Sequence, residues 1–582
     1  MRKTMGVCLA IAASAAMVLL NAQTWQWAKG YGAPKMDGIK AIATDAQGNV
    51  YVTGYYTGHV SIGAQALDSI GGLDFFVAKF DRAGAIQWAK YAGTSGGGGN
   101  DSAFDKDEVG TAIALDAQGN IYCGGFVSPR KSADVVDFGN TQRITYSNGM
   151  SFGDPFVVKY NSTGVAQWAK IVGYASSGTD AVTGIAVGPN GFIYISGYFY
   201  GNALSVPGLT TVTGRFSTAD MLFEKIDPAT GTIKWAKAIG ARGNDYAWDV
   251  TADQTNSIYL AGEFTDTLLQ RTLQPAGTVY GRSVNKTTDA CILKYDTTGT
   301  YKLSKVFGDS GYDCAKGITL SPSGNIYVTG RIVKRATQGT TVLVTTTGSY
   351  SAVTVKFSGT DMSTLWAKAI GDINSIGMSG LDIAVSGNRA IIGGIVSGRL
   401  NFGGASIAPM TSTYESMIAA YDTLGAEKWA TMVGGNGPDS SAGVSMVGDS
   451  VYVGGAFKSD TLKFGSITPI VNSGLAANYC NMFLARMTQP PSTIIFDLSS
   501  SRKLAPITLR SGAELQVITK GLSGSAMVRL MDAQGRVAAM RKIGKDGTAS
   551  LSISALSNGM YLVQVVNGNA VLATQKCLIG AR

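Results

Sequence analysis

The chain holds a single histidine, His59. A Ser-His-Asp or Cys-His device needs an imidazole beside a nucleophile and an orienting acid, and nothing in the sequence nominates such partners for His59. It reads as a solvated loop residue. Histidine-based metal sites need several ligands, so one chain cannot build one. "GTSGGGGN" at 93–100 is rich in glycine but lacks the Lys-Ser/Thr of a phosphate-binding loop and a helix behind it. It reads as a flexible insertion. No residue is nominated as catalytic, and no metal or cofactor is expected.

Carboxylates are the remaining candidates for chemistry. A glycosidase needs two of them at a set separation, and the many aspartates do not exclude one. One acidic set is ordered. Asp37, Asp180, Asp245, Asp313 and Asp439 each lie five residues before the central apolar residue of a predicted strand. Glu108 holds that place in the second repeat and Met378 in the sixth. Such a ring has two readings. It binds a cation or a basic group, or it is a set of turn residues that accept backbone N–H groups or pair with a lysine.

Aromatic residues in variable loops are the candidate ligand-binding groups. They are Tyr198, Phe199 and Tyr200 in "GYFYG", with Tyr146 and Phe152 in the long loop 127–154. Aromatic faces on a rigid scaffold suit sugars. The competing reading is that alternate residues of a strand end pack between sheets. Twelve basic residues also recur in two fixed places, from Lys29 to Lys368 after the tryptophan marker and from Lys79 to Arg486 on a third strand. Nucleic-acid binding prefers a concentrated stripe, so no nucleic-acid partner is expected.

These groups sit on a repeat. Trp27, Trp88, Trp168, Trp235, Trp366 and Trp429 each open a "WAK"-like string, with Leu303 in the same place of a seventh copy. A second string, "DAQGNVYVTG" in its first form, ends on Gly54, Gly125, Gly197, Gly262, Gly330, Gly394 and Gly455. A third is an alternating run, "FFVAKFD" at 75–81 in the first copy. Strict alternation with turn residues between the runs predicts strands. Each unit then offers four, as in "AIATD", "NVYVTGYY", "FFVAKFD" and "IQWAKYA". "DAQGN" reads as the turn between the first two, since Asp and Asn bond their own backbone and Gly accepts positive φ.

The order of copies carries a topology. A tryptophan strand at 25–29 precedes any complete unit, and the last unit, ending near 487, lacks one. The N-terminal strand is therefore expected to complete the last sheet. Closure of that kind hides sheet edges.

The 582-residue length exceeds one compact core. The formal charge is +9, and 76 glycines suit short strands and tight turns. Residues 1–22 read as a signal peptide: Arg2 and Lys3, an apolar run from Val7 to Leu20, and a small-residue cleavage site after Ala22. No later stretch reads as a transmembrane helix. Five cysteines then remain. Cys291 and Cys314 could form a bridge, or all could be buried small hydrophobes.

The strings "D-x-x-G-N-[VI]-Y-V-x-G", "D-x-F-V-x-K-[FY]-D" and "W-A-K" resemble the SBBP family of bacterial β-propeller repeats. The resemblance implies a fold and no single activity. The tail, with "DAQGRV" at 532–537, "LSNGMYLVQV" at 556–565 and Lys576, resembles the C-terminal sorting domain of type IX secretion substrates in Bacteroidota. That implies outer-membrane passage by the type IX machinery, then release or surface attachment. It departs from the family at its start, where "SGAELQVITKG" replaces a Tyr-Pro-Asn-Pro motif.

The expected architecture is all-β. A signal peptide at 1–22 precedes a seven-bladed β-propeller at 23–487, closed by its N-terminal strand. A linker at 488–505 leads to a small Ig-like β-sandwich sorting domain at 506–582. The expected role is a secreted or surface-held binding module for a glycan or protein ligand. The alternatives are a polysaccharide-acting enzyme with an Asp/Glu pair and a structural surface component.

Overall fold

The computed structural model describes residues 24–579, apart from 95–106, 129–133, 146–152, 270–278, 372–376, 474–478, 496–506, 520–525 and some shorter stretches. The expected signal peptide lies outside the described residues. Every described regular element is a strand. No helix among the described residues is long and apolar enough to cross a membrane. The chain divides into two compact units, residues 25–488 and 489–581.

The larger unit carries seven four-stranded antiparallel sheets. In the first, Gly38–Thr44, Val50–Tyr56, Asp74–Phe80 and Ile86–Ala92 pair in chain order. The next five repeat that order. The seventh takes Asp439–Val447, Ser450–Phe457 and Asn481–Thr488, with Thr24–Tyr31 as its fourth strand. The first strands pack in sequence: Gly38–Thr44 on Glu108–Leu115, then Ala181–Val187, Tyr246–Ala252, Cys314–Leu320, Gly377–Ser386 and Asp439–Val447. The last of these packs on Gly38–Thr44.

The marker residues have local causes. Asp45 accepts the Gln47 and Asn49 amides at 3.0 and 2.9 Å and the Tyr51 hydroxyl at 3.1 Å. Asp116 does the same for Gln118, Asn120 and Tyr122. The turn string is therefore an Asx turn whose aspartate also anchors the repeated tyrosine. The seven marker glycines answer a different need. Each first strand carries a bulge opposite its glycine, as at Ile39/Ala41 and Val182/Gly184. A Cβ on Gly54, Gly125, Gly197, Gly262, Gly330, Gly394 or Gly455 would run into a carbonyl oxygen of that strand, such as Gly38 O or Ala181 O. Only glycine allows the approach.

The lysines of the third strand reach sideways. Lys159, Lys225 and Lys356 donate to the carbonyls of Pro228, Thr297 and Thr423 in the next sheet, at 2.7–3.0 Å. Their spread around the unit is architectural, and the charge they carry is used between sheets.

Three expectations need correction, and one open alternative is decided. His59 is not in a loop; it opens strand His59–Ile62 and sits 2.6 Å from Asp68, both exposed. The segments between second and third strands are not open loops. Each sheet has a small hairpin there, such as His59–Ile62 with Gln65–Asp68 and Leu400–Phe402 with Ala405–Ile407. These hairpins tuck in short apolar side chains, Val60, Ile62, Leu400 and Phe402 among them. Runs of two to five residues are too short for period-2 reading, which is why they look like loops. Cys291 and Cys314 are both free and buried, as are Cys123 and Cys480, so no Cys291–Cys314 bridge forms. The third correction concerns the segment 488–505, read as a linker: it contributes strand Thr493–Ile495 to the smaller unit.

The smaller unit has two four-stranded antiparallel sheets. Leu515, Val517 and Leu551 of one and Val528, Leu530, Val563 and Val565 of the other share one buried core.

Candidate functional site

The acidic set is buried. Asp37, Glu108, Asp180, Asp245, Asp313 and Asp439 lose nearly all contact with solvent. Their carboxylates take backbone amides. Asp37 accepts Ala33 N–H at 2.8 Å and Thr57 N–H at 3.0 Å. Asp313 accepts Asp309 and Val333, and Asp439 accepts Gly435 and Ser459. Asp180 and Asp245 accept Tyr200 and Thr265, and Glu108 accepts the Thr94 amide. In five cases one donor lies twenty residues on, at the end of the second strand of the same sheet or just past it. The carboxylate thus clamps the two ends of the first hairpin. Desolvation pushes Asp37 up to about 7 and Asp313 and Asp439 up to about 6, against the amides that hold them down. Among the described residues, no group of three or more His, Cys, Asp or Glu side chains could hold a metal ion.

A second acidic set escaped the sequence reading. Asp74, Asp154, Asp220, Asp289 and Glu415 are the first or second residues of the third strands and are buried. All but Asp154 crowd the glycine that ends the tryptophan string. A Cβ on Gly240 would meet both Asp220 and Asp245, and one on Gly308 both Asp289 and Asp313. The signal was present in the aspartate of the "D-x-F-V" marker.

The aromatic candidates separate. Tyr146 and Phe152 lie outside the described residues. Phe199 is fully buried in the core between the second and third sheets, with Val182, Ile195 and Leu204. Tyr198 and Tyr200 alternate away from it and remain half-buried. They meet two residues that sequence reading missed, Tyr246 and Trp248, on the first strand of the fourth sheet. Tyr246 stacks on Trp248 at 5.2 Å between centroids. Tyr198 stands edge-on to Tyr246 at 5.0 Å and to Trp248 at 6.0 Å. The Tyr200 and Tyr246 hydroxyls lie 2.8 Å apart. Burial pushes the Tyr198 phenol up to about 12.

Charge adjoins this aromatic wall. Lys316, from the fifth sheet, places Nζ 3.0 Å from the Trp248 ring centroid. Glu263 pairs in register with Tyr246, and Arg331 with Cys314 beside Lys316. Burial lowers the Lys316 pKa, while Cys314 and Glu263 raise it and Arg331 lowers it further. The wall breaks the repeat. Trp248 and Lys316 occupy the bulge position, where other sheets have Lys40, Thr111, Thr183, Leu381 and Ala442. Tyr246 stands where Gly38, Val109, Ala181, Ser379 and Ser440 stand.

One further pair breaks the repeat. Asp249 and Asp382 follow the bulge, where Ala41, Ala112, Gly184, Gly317 and Gly443 stand elsewhere. Asp249 accepts Ile318 N–H at 2.9 Å, and Asp382 accepts Val444 N–H at 2.8 Å, each from the next sheet. Desolvation, then the charge of Asp382, pushes Asp249 up to about 8, and desolvation pushes Asp382 up to about 6.

Residues 514–580 match the family model described as the secretion system C-terminal sorting domain. That domain indicates export by type IX secretion, to the cell surface or into the medium, and implies contact with that machinery. The chain is also similar to an uncharacterized WD repeat-containing protein of Acanthamoeba polyphaga mimivirus, 22% identical over 522 residues, which are 75% of this chain and 36% of that protein. The chain thus spans about a third of the curated relative it matches. Among solved structures, it is similar to quinohemoprotein alcohol dehydrogenase from Comamonas testosteroni, 11% identical, with 83% of this chain and 79% of that one covered and a TM-score of 0.38. A protein of unknown function from Dyadobacter fermentans is 10% identical over 80% of this chain and 99% of that one, with a TM-score of 0.37.

Proposed function

We propose that the larger unit is a seven-bladed β-propeller, closed by Thr24–Tyr31, that acts after export as a binding module for a glycan or protein ligand. The sequential packing of the seven first strands supports the ring, as does the N-terminal strand in the seventh sheet. One observation carries the binding role. Tyr246 and Trp248, aromatic at positions that hold no aromatic residue in any other sheet, gather with Tyr198 into a half-buried aromatic wall. Scaffold positions keep the repeat; a ligand site has reason to depart from it.

The test is binding of the full-length protein to a panel of polysaccharides and matrix proteins, with released sugar assayed in the same wells. Saturable binding without product, lost in Tyr198→Ala/Tyr246→Ala, supports the module. Silence across the panel favours a structural component of the surface. The enzyme alternative rests on Asp249 and Asp382, the carboxylate pair that breaks the repeat. Each is held by an amide of the neighbouring sheet, which suits a brace between sheets. Released product, lost in Asp249→Asn, would move the reading to catalysis.

A further inference from the structure

We infer that the ligand of the Tyr198–Trp248 wall is an acidic glycan, one whose sugar rings carry carboxylate or sulfate groups. The inference rests on the binding reading above and names the substrate class of that site.

The wall is apolar on one side and cationic on the other. Tyr198, Tyr246 and Trp248 offer ring surface held by mutual stacking and edge contacts. Such surface covers the C–H face of a pyranose. Lys316 stands against Trp248, and Arg331 lies beside it on the fifth sheet. Glu263 acts on Lys316 and Asp313 on Arg331, but no carboxylate of the described residues forms an ion pair with Lys316. Burial already disfavours the Lys316 ammonium, so a bound anion would relieve a standing desolvation penalty. Arg331 brings a planar fork that suits carboxylate and sulfate oxygens. Its Nε–H donates to the Tyr312 carbonyl at 3.1 Å, which leaves the terminal nitrogens for a ligand. A neutral glycan would use the rings and leave both cations unmatched. An acidic peptide would use the cations and leave the rings uncovered.

The test compares ligands that differ only in charge, using the full-length protein. The pairs are polygalacturonate with its methyl ester, and chondroitin sulfate with desulfated chondroitin; polyglutamate is the control for charge alone. The expected result is binding to a charged member about ten-fold or more tighter than to its neutral partner. Which pair responds distinguishes carboxylate from sulfate. Lys316→Gln and Arg331→Gln should each abolish most of that difference. Glu263→Gln should tighten binding, a direction that misfolding does not produce. Equal binding within both pairs, still lost in Tyr198→Ala/Tyr246→Ala, would overturn the acidic preference and leave the binding module intact. Polyglutamate binding as tight as polygalacturonate would also overturn it. Failure of every glycan would remove the reading on which it rests.

Discussion

The indole of Trp27 covers Gly84. A methyl group on that glycine would stand 3.0 Å from three atoms of the ring, and the indole N–H donates to the Arg82 carbonyl at 3.1 Å. Trp27 belongs to the strand that completes the seventh sheet, and Gly84 to a turn of the first. The same contact joins Trp88 to Gly164, Trp168 to Gly231, Trp235 to Gly299 and Trp366 to Gly425. Where Leu303 replaces the tryptophan, the facing turn residue is Met362, which shares a core with it at φ 54°. The larger residue has moved to the other partner.

Trp27→Ala should therefore destabilise the whole larger unit by about 2–3 kcal/mol, somewhat under the cost for a fully buried tryptophan. Deleting residues 24–31 should do more, since an edge is exposed as well. Thermal unfolding of both variants checks this. A midpoint equal to wild type would rule out the strand as a closing element.

Gly197→Ala should be severe, above about 3 kcal/mol, because its Cβ collides with the Ala181 carbonyl and the bulge must open. Gly191→Ala is the comparison. Its φ is 78° but nothing lies within 4 Å of the added methyl, so about 1 kcal/mol of backbone strain is expected. Denaturant midpoints of the two variants separate collision from strain; equal losses would contradict the close approach.

The buried carboxylates predict a pH dependence. Asp249 is raised to about 8, Asp37 to about 7, and Asp74, Asp313, Asp382 and Asp439 to about 6. The folded state thus binds protons that the unfolded chain has released. Their stabilising contribution is complete below the ordinary aspartate pKa of about 4 and fades as pH rises through about 6 to 8. The melting temperature should fall between pH 5 and 8, and less steeply in Asp249→Asn. A flat profile in wild type would refute the burial of charge that underlies it.

Cys123, Cys291, Cys314 and Cys480 should resist a thiol reagent in the native state and react on unfolding. A reducing agent should leave the melting temperature unchanged. A drop under reduction would reveal a bridge that the fold does not show.

Deleting residues 514–580 should stop export at the periplasm, read by fractionation and immunoblot. Appearance of the truncated protein outside the cell would assign sorting to another segment.

Some of this protein was legible in its residues alone. Alternation, Asx turns and the glycines after "VYVT" are local signals, so strands such as Gly38–Thr44 and Val50–Tyr56 fall where the pattern puts them. The missing seventh fourth strand could also be read, because it is a matter of counting copies. What stayed hidden depends on sheets meeting side by side. The hairpins are too short for periodicity, and the burial of the aspartates of the third strands shows only when the Gly240 and Gly308 backbones close over them. Tyr198, Trp248 and Lys316 belong to three successive sheets, and no spacing rule brings them together. Local patterning decided the strands and the turns. The lateral packing of one sheet on the next decided which side chains share a surface, because that distance is set by the stacking of sheets and not by the path of the chain.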